Sequence, residues 1–234
     1  MDVQQTGGEP VTIQHLLVRY AKRGKMRFAS HLDVARAFER GVRRAGLPIA
    51  YSTGFTPHPK ISYAGGVPTG VASEAEYLSL TLTSRTEADA VRERLNAALP
   101  DGIDVIAVTE DSGGLPASRL TASEWQIALP GLPPDDVVPV VRKFLALTEA
   151  PVERLTSKGM RRMDARAAVV RLDVRYDTVQ GTALRMVVRH MVPAVRPDDV
   201  LTALRDVSDV FPAGQPLMTR LAQGSLGESG VVKL

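Results

Sequence analysis

The sequence predicts an α+β protein built from two tandem ferredoxin-like domains, each with the element order βαββαβ. The first observation is that alternating segments typical of strands are interleaved with amphipathic helical segments, in the same order, in both halves of the 234 residues. The second is the run DSGGLPA between the halves, whose composition is typical of a linker. No residue-by-residue repeat accompanies the repeated order, so a single larger α+β domain is the alternative.

The first domain is expected at residues 11–110, after a disordered lead at residues 1–10. Its first strand is expected to continue past a kink at Gly24, and Asp101-Gly102 indicates a turn before its last strand. The predicted elements are a strand at 11–28, a helix that begins after Ser30, strands at 60–64 and 76–83, a helix at 86–99 and a strand at 103–109.

A linker at residues 111–118 leads to the second domain at residues 119–223, and residues 224–234 are predicted as a Gly-rich tail. Pro134 and Pro197 are each followed by two aspartates, a pattern typical of the first turn of a helix. The predicted elements are a strand at 121–129, a helix at 134–148, strands at 166–176 and 183–192, a helix at 197–210 and a strand at 216–221.

The first helix is amphipathic and carries an arginine stripe. Ser30 stands at the N-cap position with Asp33 three residues later, and Gly46 followed by Pro48 ends the helix. At 100° per residue one arc of the helix is apolar and is expected to face the core: Leu32, Ala35, Phe38, Val42 and Ala45. The roughly opposite arc carries Arg36, Arg40, Arg43 and Arg44.

Positive charge is concentrated in this part of the chain. From Arg19 to Ser62 the sequence has ten lysines and arginines against Asp33 and Glu39, whereas the whole protein has a net charge of only +3. A solvated outer face is the simpler interpretation of such a stripe. The stripe lacks the interspersed glutamates that a helix needs for solubility alone, so the pattern favours recognition of phosphate or carboxylate groups.

A family resemblance covers most of the chain. The motifs are Ser30-His31-Leu32-Asp33, Gly54-Phe55, Pro57-His58-Pro59-Lys60 and Ser73-Glu74-Ala75-Glu76, and they continue through Gly159–Asp164 to the run MTRLAQG. In order and spacing they resemble a bacterial radical-SAM-linked domain family of unknown function. Its members occur fused behind a B12-binding radical SAM protein or encoded beside one. The resemblance implies such a protein as a partner and implies no mechanism.

Composition excludes several classes of chemistry. The chain has no cysteine, so it cannot form a disulfide, a thiolate metal site or the iron–sulfur cluster of a radical SAM enzyme. In any work with such an enzyme the protein would be an accessory. No apolar run approaches the ~20 residues of a membrane span, and a cytoplasmic protein is expected. No metal-ligand cluster, Walker motif or dinucleotide motif occurs, so no metal or cofactor is predicted.

A second basic cluster lies between Arg154 and Arg175, where the sequence has seven basic residues and only two acidic ones, Asp164 and Asp173. A flexible hairpin tip and a phosphate-binding loop explain it about equally well. The predicted nucleic-acid-binding residues of the whole chain are Lys22, Arg23, Lys25, Arg27, Arg36, Arg40, Arg43, Arg44, Phe55, His58, Lys60, Lys158, Arg161 and Arg162.

The sheet itself is not expected to stack bases. The outward positions of the two central strands of the first domain carry no pair of stacking aromatic residues. These positions are His15, Arg19, Tyr77, Ser79 and Thr81.

Three functions remain open from sequence. The first is a non-catalytic RNA-binding protein, for tRNA or rRNA, that presents its substrate to a separate radical SAM enzyme. The second is a metal-independent ribonuclease of the tandem ferredoxin-like type, in which His31, His58 and Lys60 supply base, acid and electrostatic stabilisation. The third is a protein-interaction subunit whose basic face docks an acidic partner.

Overall fold

The computed structural model describes residues 12–111, 117–156, 159–178, 181–211, 214, 216–228 and 230–234. The protein has an α+β fold, as predicted, with five α-helices in the described residues. The chain divides into two compact units. The first unit is Met1–Gly70 with Glu76–Pro116, and the second unit is Val71–Ala75 with Ala117–Leu234. None of the described helices is both long and apolar enough to cross a membrane.

In the described residues the first unit contains four strands and two helices, although the first residues of β3 belong to the second unit. The elements are β1 (Gln14–Lys22), α1 (His31–Arg44), β2 (Ile61–Ala64), β3 (Ala72–Leu82), α2 (Ala88–Ala98) and β4 (Ile103–Glu110). The strand order is β4-β1-β3-β2, with β2 antiparallel to β3 and β1 antiparallel to β4. Alternate residues of the central strands, such as Val18 and Leu80, are fully buried in one hydrophobic core with Phe38 and Leu95 from the two helices.

The predicted continuation of the first strand to residue 28 is wrong. β1 ends at Lys22, and Gly24 adopts a φ of 52°, a left-handed conformation that favours glycine. A short 3₁₀ helix then spans Gly24–Phe28. The N–H of Arg23 donates to the carbonyl of Gly102 at 2.8 Å, which holds this turn against the start of β4.

The buried face of α1 differs in part from the predicted arc. Phe38 and Val42 are buried as predicted, but Leu32 is 56% exposed. The remaining buried residues of the helix are Val34, Ala37 and Gly41. A Cβ added to Gly41 would lie 2.9 Å from the Leu99 side chain, so the close contact of the helix with Leu99 requires a residue without a side chain. A count of large apolar residues cannot detect a contact of this kind.

The second unit contains the remaining elements. They are β5 (Ala122–Leu129), α3 (Pro134–Ala146), β6 (Pro151–Thr156), β7 (Gly159–Asp164), α4 (Ala165–Ala168), β8 (Val169–Asp177), β9 (Gly181–Arg189), α5 (Pro197–Val207), β10 (Met218–Gly227) and β11 (Gly230–Lys233). The strand order is β10-β5-β9-β8, and Ala72 and Ser73 pair parallel to Thr219 and Arg220 of β10.

Two features of the second unit were not expected. The hairpin of β6 and β7 lies between α3 and β8, where the sequence predicted no strand. In the segment predicted as a Gly-rich tail, residues 224–227 continue β10 and Gly230–Lys233 form β11, with Leu226 opposite Val231. The glycines of this segment pair along the backbone, which requires no side chain.

We predict that Phe38→Ala lowers the free energy of unfolding by about 3–5 kcal/mol, because it leaves a cavity at a fully buried ring in the first core. Phe28→Ala is the matched control. The Phe28 ring is 58% exposed, and its removal is expected to cost less than about 1 kcal/mol. Urea denaturation of the two variants measures the difference, and equal losses would contradict the assignment of Phe38 to the core.

Candidate functional site

The start of α1 is fixed by a capping box, as predicted. The N–H of Asp33 donates to the Ser30 hydroxyl at 3.2 Å, and the N–H of Ser30 donates to the Asp33 carboxylate at 3.0 Å. The Ser30 hydroxyl lowers the pKa of Asp33, with further contributions from the Ser30 N–H and from Arg36. The carboxylate therefore stays charged at the positive end of the helix dipole.

The arginine stripe of α1 is exposed. Arg36, Arg40, Arg43 and Arg44 are all solvent-exposed, on the side of the helix away from Phe38. Arg44 donates to the carbonyl of Ala98 at 3.1 Å. Within the described part of the chain none of the four forms an ion pair with a carboxylate. Most of their guanidinium N–H groups are therefore available to an anion from solution.

The 3₁₀ helix beside α1 adds further positive charge. Lys25 is exposed, and the guanidinium of Arg27 lies 4.6 Å from the centre of the Phe28 ring. Arg23 is also exposed, but its guanidinium pairs with Asp104 at 2.9 Å. The charge of Arg23 is therefore already balanced within the protein.

Lys22 differs from the expectation of a surface phosphate contact. Its side chain is only 4% exposed, and its ammonium donates to the carbonyl of Ala29 at 2.8 Å. Burial lowers the pKa of Lys22, and the nearby Glu76 carboxylate raises it. Because Lys22 points into the fold, its role is to hold the segment before α1 in place.

Two of the sequence motifs meet at the loop before β3. A Cβ added to Gly66 would lie 3.8 Å from His31 Nδ1 and 3.8 Å from Glu76 Oε2, so both side chains border this loop. The N–H of Val67 donates to the same Glu76 oxygen at 3.2 Å. Glu76 is 3% exposed, whereas His31 is exposed. The motif that contains His31 is thus brought together with the motif that contains Glu76.

Tyr63 completes this cluster. Its ring meets the His31 ring edge-on at 5.2 Å. Its hydroxyl is buried and has no hydrogen-bond partner among the described residues. Burial raises the pKa of Tyr63 well above its ordinary value, and Glu39 adds to the rise. Sequence reasoning did not select Tyr63, and it named Glu76 only as part of a family motif. Nothing in the spacing of these residues indicates that they approach His31.

The loop between α1 and β2 exposes the other predicted contacts. The Phe55 side chain is fully exposed, and His58 is exposed. The backbone of His58 exchanges hydrogen bonds with Ser52, through the Ser52 hydroxyl at 3.0 Å and the Ser52 N–H at 2.8 Å. Lys60 is half-buried, and its N–H donates to Ala50. No contact in the described residues joins His31 to His58 or Lys60, the three residues of the cleavage alternative.

In the second unit the structure places Arg161 and Arg162 on β7, where both are exposed. Lys158 lies outside the described residues. Arg154, from the same basic cluster, pairs with Asp199 and donates to the carbonyl of Ala194 at 3.0 Å. Only part of this cluster is therefore available to a ligand.

The three strand residues Tyr77, Ser79 and Thr81 were expected to face outward. They are instead 1%, 5% and 8% exposed, so they cannot stack bases. In the described residues, no group of three metal-ligating side chains comes together.

A family profile described as DUF2344, uncharacterized protein conserved in bacteria, matches residues 15–197. The chain belongs to this family. No curated protein matches the chain. Among solved structures, one chain of the crystal structure of a Cbf5-Nop10-Gar1 complex is similar, with a TM-score of 0.48 and 12% identity. The similarity covers all of this chain and 58% of that chain, and at this level it carries no argument about fold or function.

We predict that Glu76→Gln lowers the free energy of unfolding by about 2 kcal/mol or more, because it leaves the buried Lys22 ammonium without its counter-charge. The pKa of Lys22 would then fall further below the ordinary lysine value of 10.5. At pH values between the lowered pKa of Lys22 in the folded protein and its ordinary pKa, the unfolded chain binds more protons than the native protein. The free energy of unfolding of Glu76→Gln should therefore rise with pH in this range.

Denaturant titrations between about pH 7 and 10 measure this dependence. The double variant Lys22→Met/Glu76→Gln is the control, since it removes the titrating group and should have a flatter profile. If the double variant loses as much free energy of unfolding as the sum of the losses in Lys22→Met and Glu76→Gln, Lys22 and Glu76 are not coupled.

Proposed function

We propose that the protein is a non-catalytic RNA-binding accessory, for tRNA or rRNA, that presents its substrate to a separate B12-binding radical SAM enzyme. The observation that carries the proposal is the exposed arginine stripe of α1, whose guanidinium groups form no ion pair with a carboxylate in the described residues. Phosphates are the matching ligands, because guanidinium groups bind phosphate oxygens through paired N–H groups.

The geometry of α1 suits a phosphate backbone. From Arg36 to Arg44 the helix rises ~12 Å, so the four guanidinium groups can reach several consecutive phosphates. Lys25 and Arg27 extend the positive surface from the adjoining 3₁₀ helix. A capped helix packed on a core holds these side chains with little loss of backbone entropy on binding, which favours affinity.

We also propose that both units are ferredoxin-like. The strand orders β4-β1-β3-β2 and β10-β5-β9-β8 support this, because in each unit the first and third strands are central, as in a split βαβ unit. In this proposal, the β6–β7 hairpin is an insertion in the second unit.

Support for the radical SAM partner comes from the resemblance of the motifs around Ser30, His58 and Glu76 to the radical-SAM-linked family. The chain has no cysteine for a cluster of its own, so the radical chemistry would belong to the partner.

The test is the binding of bulk tRNA to the full chain across roughly 50–300 mM salt. We predict affinity that falls steeply with salt. Arg40→Glu/Arg44→Glu should weaken binding at least about tenfold and reduce the slope of log affinity against log salt by about 2, because two phosphate contacts are lost. Arg85→Glu/Arg92→Glu makes the same change of charge at exposed ion pairs of the first unit and is the matched control.

If both double variants lose affinity equally, diffuse charge rather than the α1 stripe explains binding. If the wild-type protein fails to bind tRNA even at the lowest salt, RNA recognition is wrong. The stripe would then be better explained as a docking face for an acidic partner protein.

Cleavage is the second candidate, favoured by the position of His31 beside the buried Glu76 carboxylate at the Gly66 loop. Such a pair could move a proton. We nevertheless predict that RNA incubated with the wild-type protein stays intact on a denaturing gel, and that His31→Ala and His58→Ala still bind tRNA. Cleavage by the wild-type protein that His31→Ala abolishes would establish the nuclease instead.

A further inference from the structure

A second basic site, separate in sequence from α1, lies on the sheet of the second unit. A cavity of about 450 Å³ opens there over β5, β8 and β9. Its polar lining comes from seven side chains, two of them carboxylates: Glu124, Gln126, Arg171, Arg175, Tyr176, Asp177 and Arg185. Among the predicted binding residues none belongs to this cavity.

Strand alternation places these side chains, except that of Tyr176, on one face of the sheet. Glu124 and Gln126 alternate along β5 with Trp125 and Ile127, which are 6% and 0% exposed. Along β9, Arg185 lies between residues that are fully buried. The face that carries the arginines is therefore the one opposite the apolar core of the unit, and it is open to solvent.

The Glu124 carboxylate orients two of the three guanidinium groups. Glu124 Oε1 accepts from Arg185 Nε at 2.9 Å and from Arg171 Nη2 at 3.2 Å. Asp173 forms an ion pair with Arg171, at 3.3 Å from Nε, and lies 3.9 Å from Arg175 Nη2, beyond hydrogen-bonding distance. These bonds fix Arg171 and Arg185 while leaving most of their Nη nitrogens without a partner in the described residues.

The remaining donors fit a tetrahedral oxyanion. The free Nη groups of Arg171 and Arg185 and the exposed guanidinium of Arg175 surround the cavity, and the Gln126 amide adds a donor. Guanidinium groups held in place by carboxylates lose little entropy when they bind, and their planar forks match phosphate oxygens. The side chain of Tyr176 at the rim is 62% exposed.

We propose that this cavity binds a phosphate group of an RNA strand and that Glu124 positions its arginines. The site rests on the proposed RNA-binding function and adds a second contact, in the second unit, that is independent of the α1 stripe. A free phosphate ion has the same chemistry, and the experiment below separates the two sources.

The first measurement is the affinity of the full chain for a labelled, unstructured oligouridylate of about ten nucleotides, as a function of salt. Arg175→Ala/Arg185→Ala is expected to weaken binding about tenfold and to reduce the salt slope by about 1.4, which corresponds to two contacts on a single strand. Arg189→Ala, an exposed arginine of β9 outside the cavity, is the control and should leave both quantities unchanged.

Glu124→Gln separates a built site from diffuse positive charge. It makes the protein more positive, so diffuse attraction predicts tighter RNA binding. The positioning role predicts weaker binding, by roughly three- to tenfold, because Arg171 and Arg185 lose the charge-assisted bonds that orient them. Tighter binding by Glu124→Gln, or equal losses in the cavity variant and Arg189→Ala, would overturn the proposal.

Two further measurements distinguish failure of this site from failure of the proposed RNA-binding function. Inorganic phosphate that raises the melting temperature of the wild-type protein but not of Arg175→Ala/Arg185→Ala, without oligouridylate binding, would assign the cavity to the free ion and overturn the RNA contact. If the wild-type protein binds tRNA but Arg175→Ala/Arg185→Ala leaves the affinity for oligouridylate unchanged, this site alone is rejected. Failure of wild-type protein to bind either RNA would reject both proposals.

Discussion

The first unit depends on a buried ammonium group. Lys22 is almost completely removed from water, and such a charge is costly unless it is hydrogen-bonded and paired. The protein supplies the carbonyl of Ala29 and the negative charge of Glu76. Glu76 in turn accepts from the backbone of Val67. The end of β1, the residues before α1 and the loop before β3 are therefore fixed to one another by one electrostatic requirement.

This requirement determines what α1 can present. Ala29 immediately precedes the N-cap Ser30, so fixing its carbonyl fixes the position at which the helix begins. From that start the rotation of the helix is set by burial of Phe38 and Val42 and by the close approach at Gly41. With the start and the rotation of α1 fixed, the side chains of the arginine stripe can point only toward solvent. Its display to solvent follows from the packing of the opposite face, and His31 is placed at the Gly66 loop by the same constraint.

Local signals in the sequence predicted much of this. The capping box, the glycine at the end of α1 and the Pro-Asp-Asp starts of α3 and α5 are short-range patterns, so α1, α3 and α5 were located well. The short helix α4 was missed, because a strand was predicted at 166–176. The class of fold followed from the order of the elements. The exposed arginines followed from helical periodicity, since large charged side chains rarely occupy a core.

The features that sequence reasoning missed depend on long-range contacts. Lys22 is basic like its exposed neighbours, and only the fold places Glu76 beside it. The approach of His31 to Tyr63 and Glu76 joins segments that are distant in the chain. The β6–β7 hairpin has charged residues on both strands and lacks the apolar alternation that signals a half-buried strand. In the second unit, the pairing of Glu124 with two arginines likewise depends on which strands are neighbours.

The two basic surfaces differ in how their charge is balanced, and this difference implies different roles in binding. The α1 stripe has no carboxylate partners in the described residues, so its field extends about one Debye length, ~10 Å at 0.1 M salt, and can attract an anion before contact. At the cavity of the second unit, Glu124 and Asp177 in the lining and Asp173 beside it offset much of the charge of three arginines. That arrangement contributes little attraction at a distance, but it holds the donors in fixed directions. Unbalanced charge suits capture of a polyanion, and balanced, oriented charge suits alignment of a particular phosphate after capture. A protein that presents a substrate to another enzyme needs both properties, because holding an RNA is not sufficient unless the RNA is also held in one orientation.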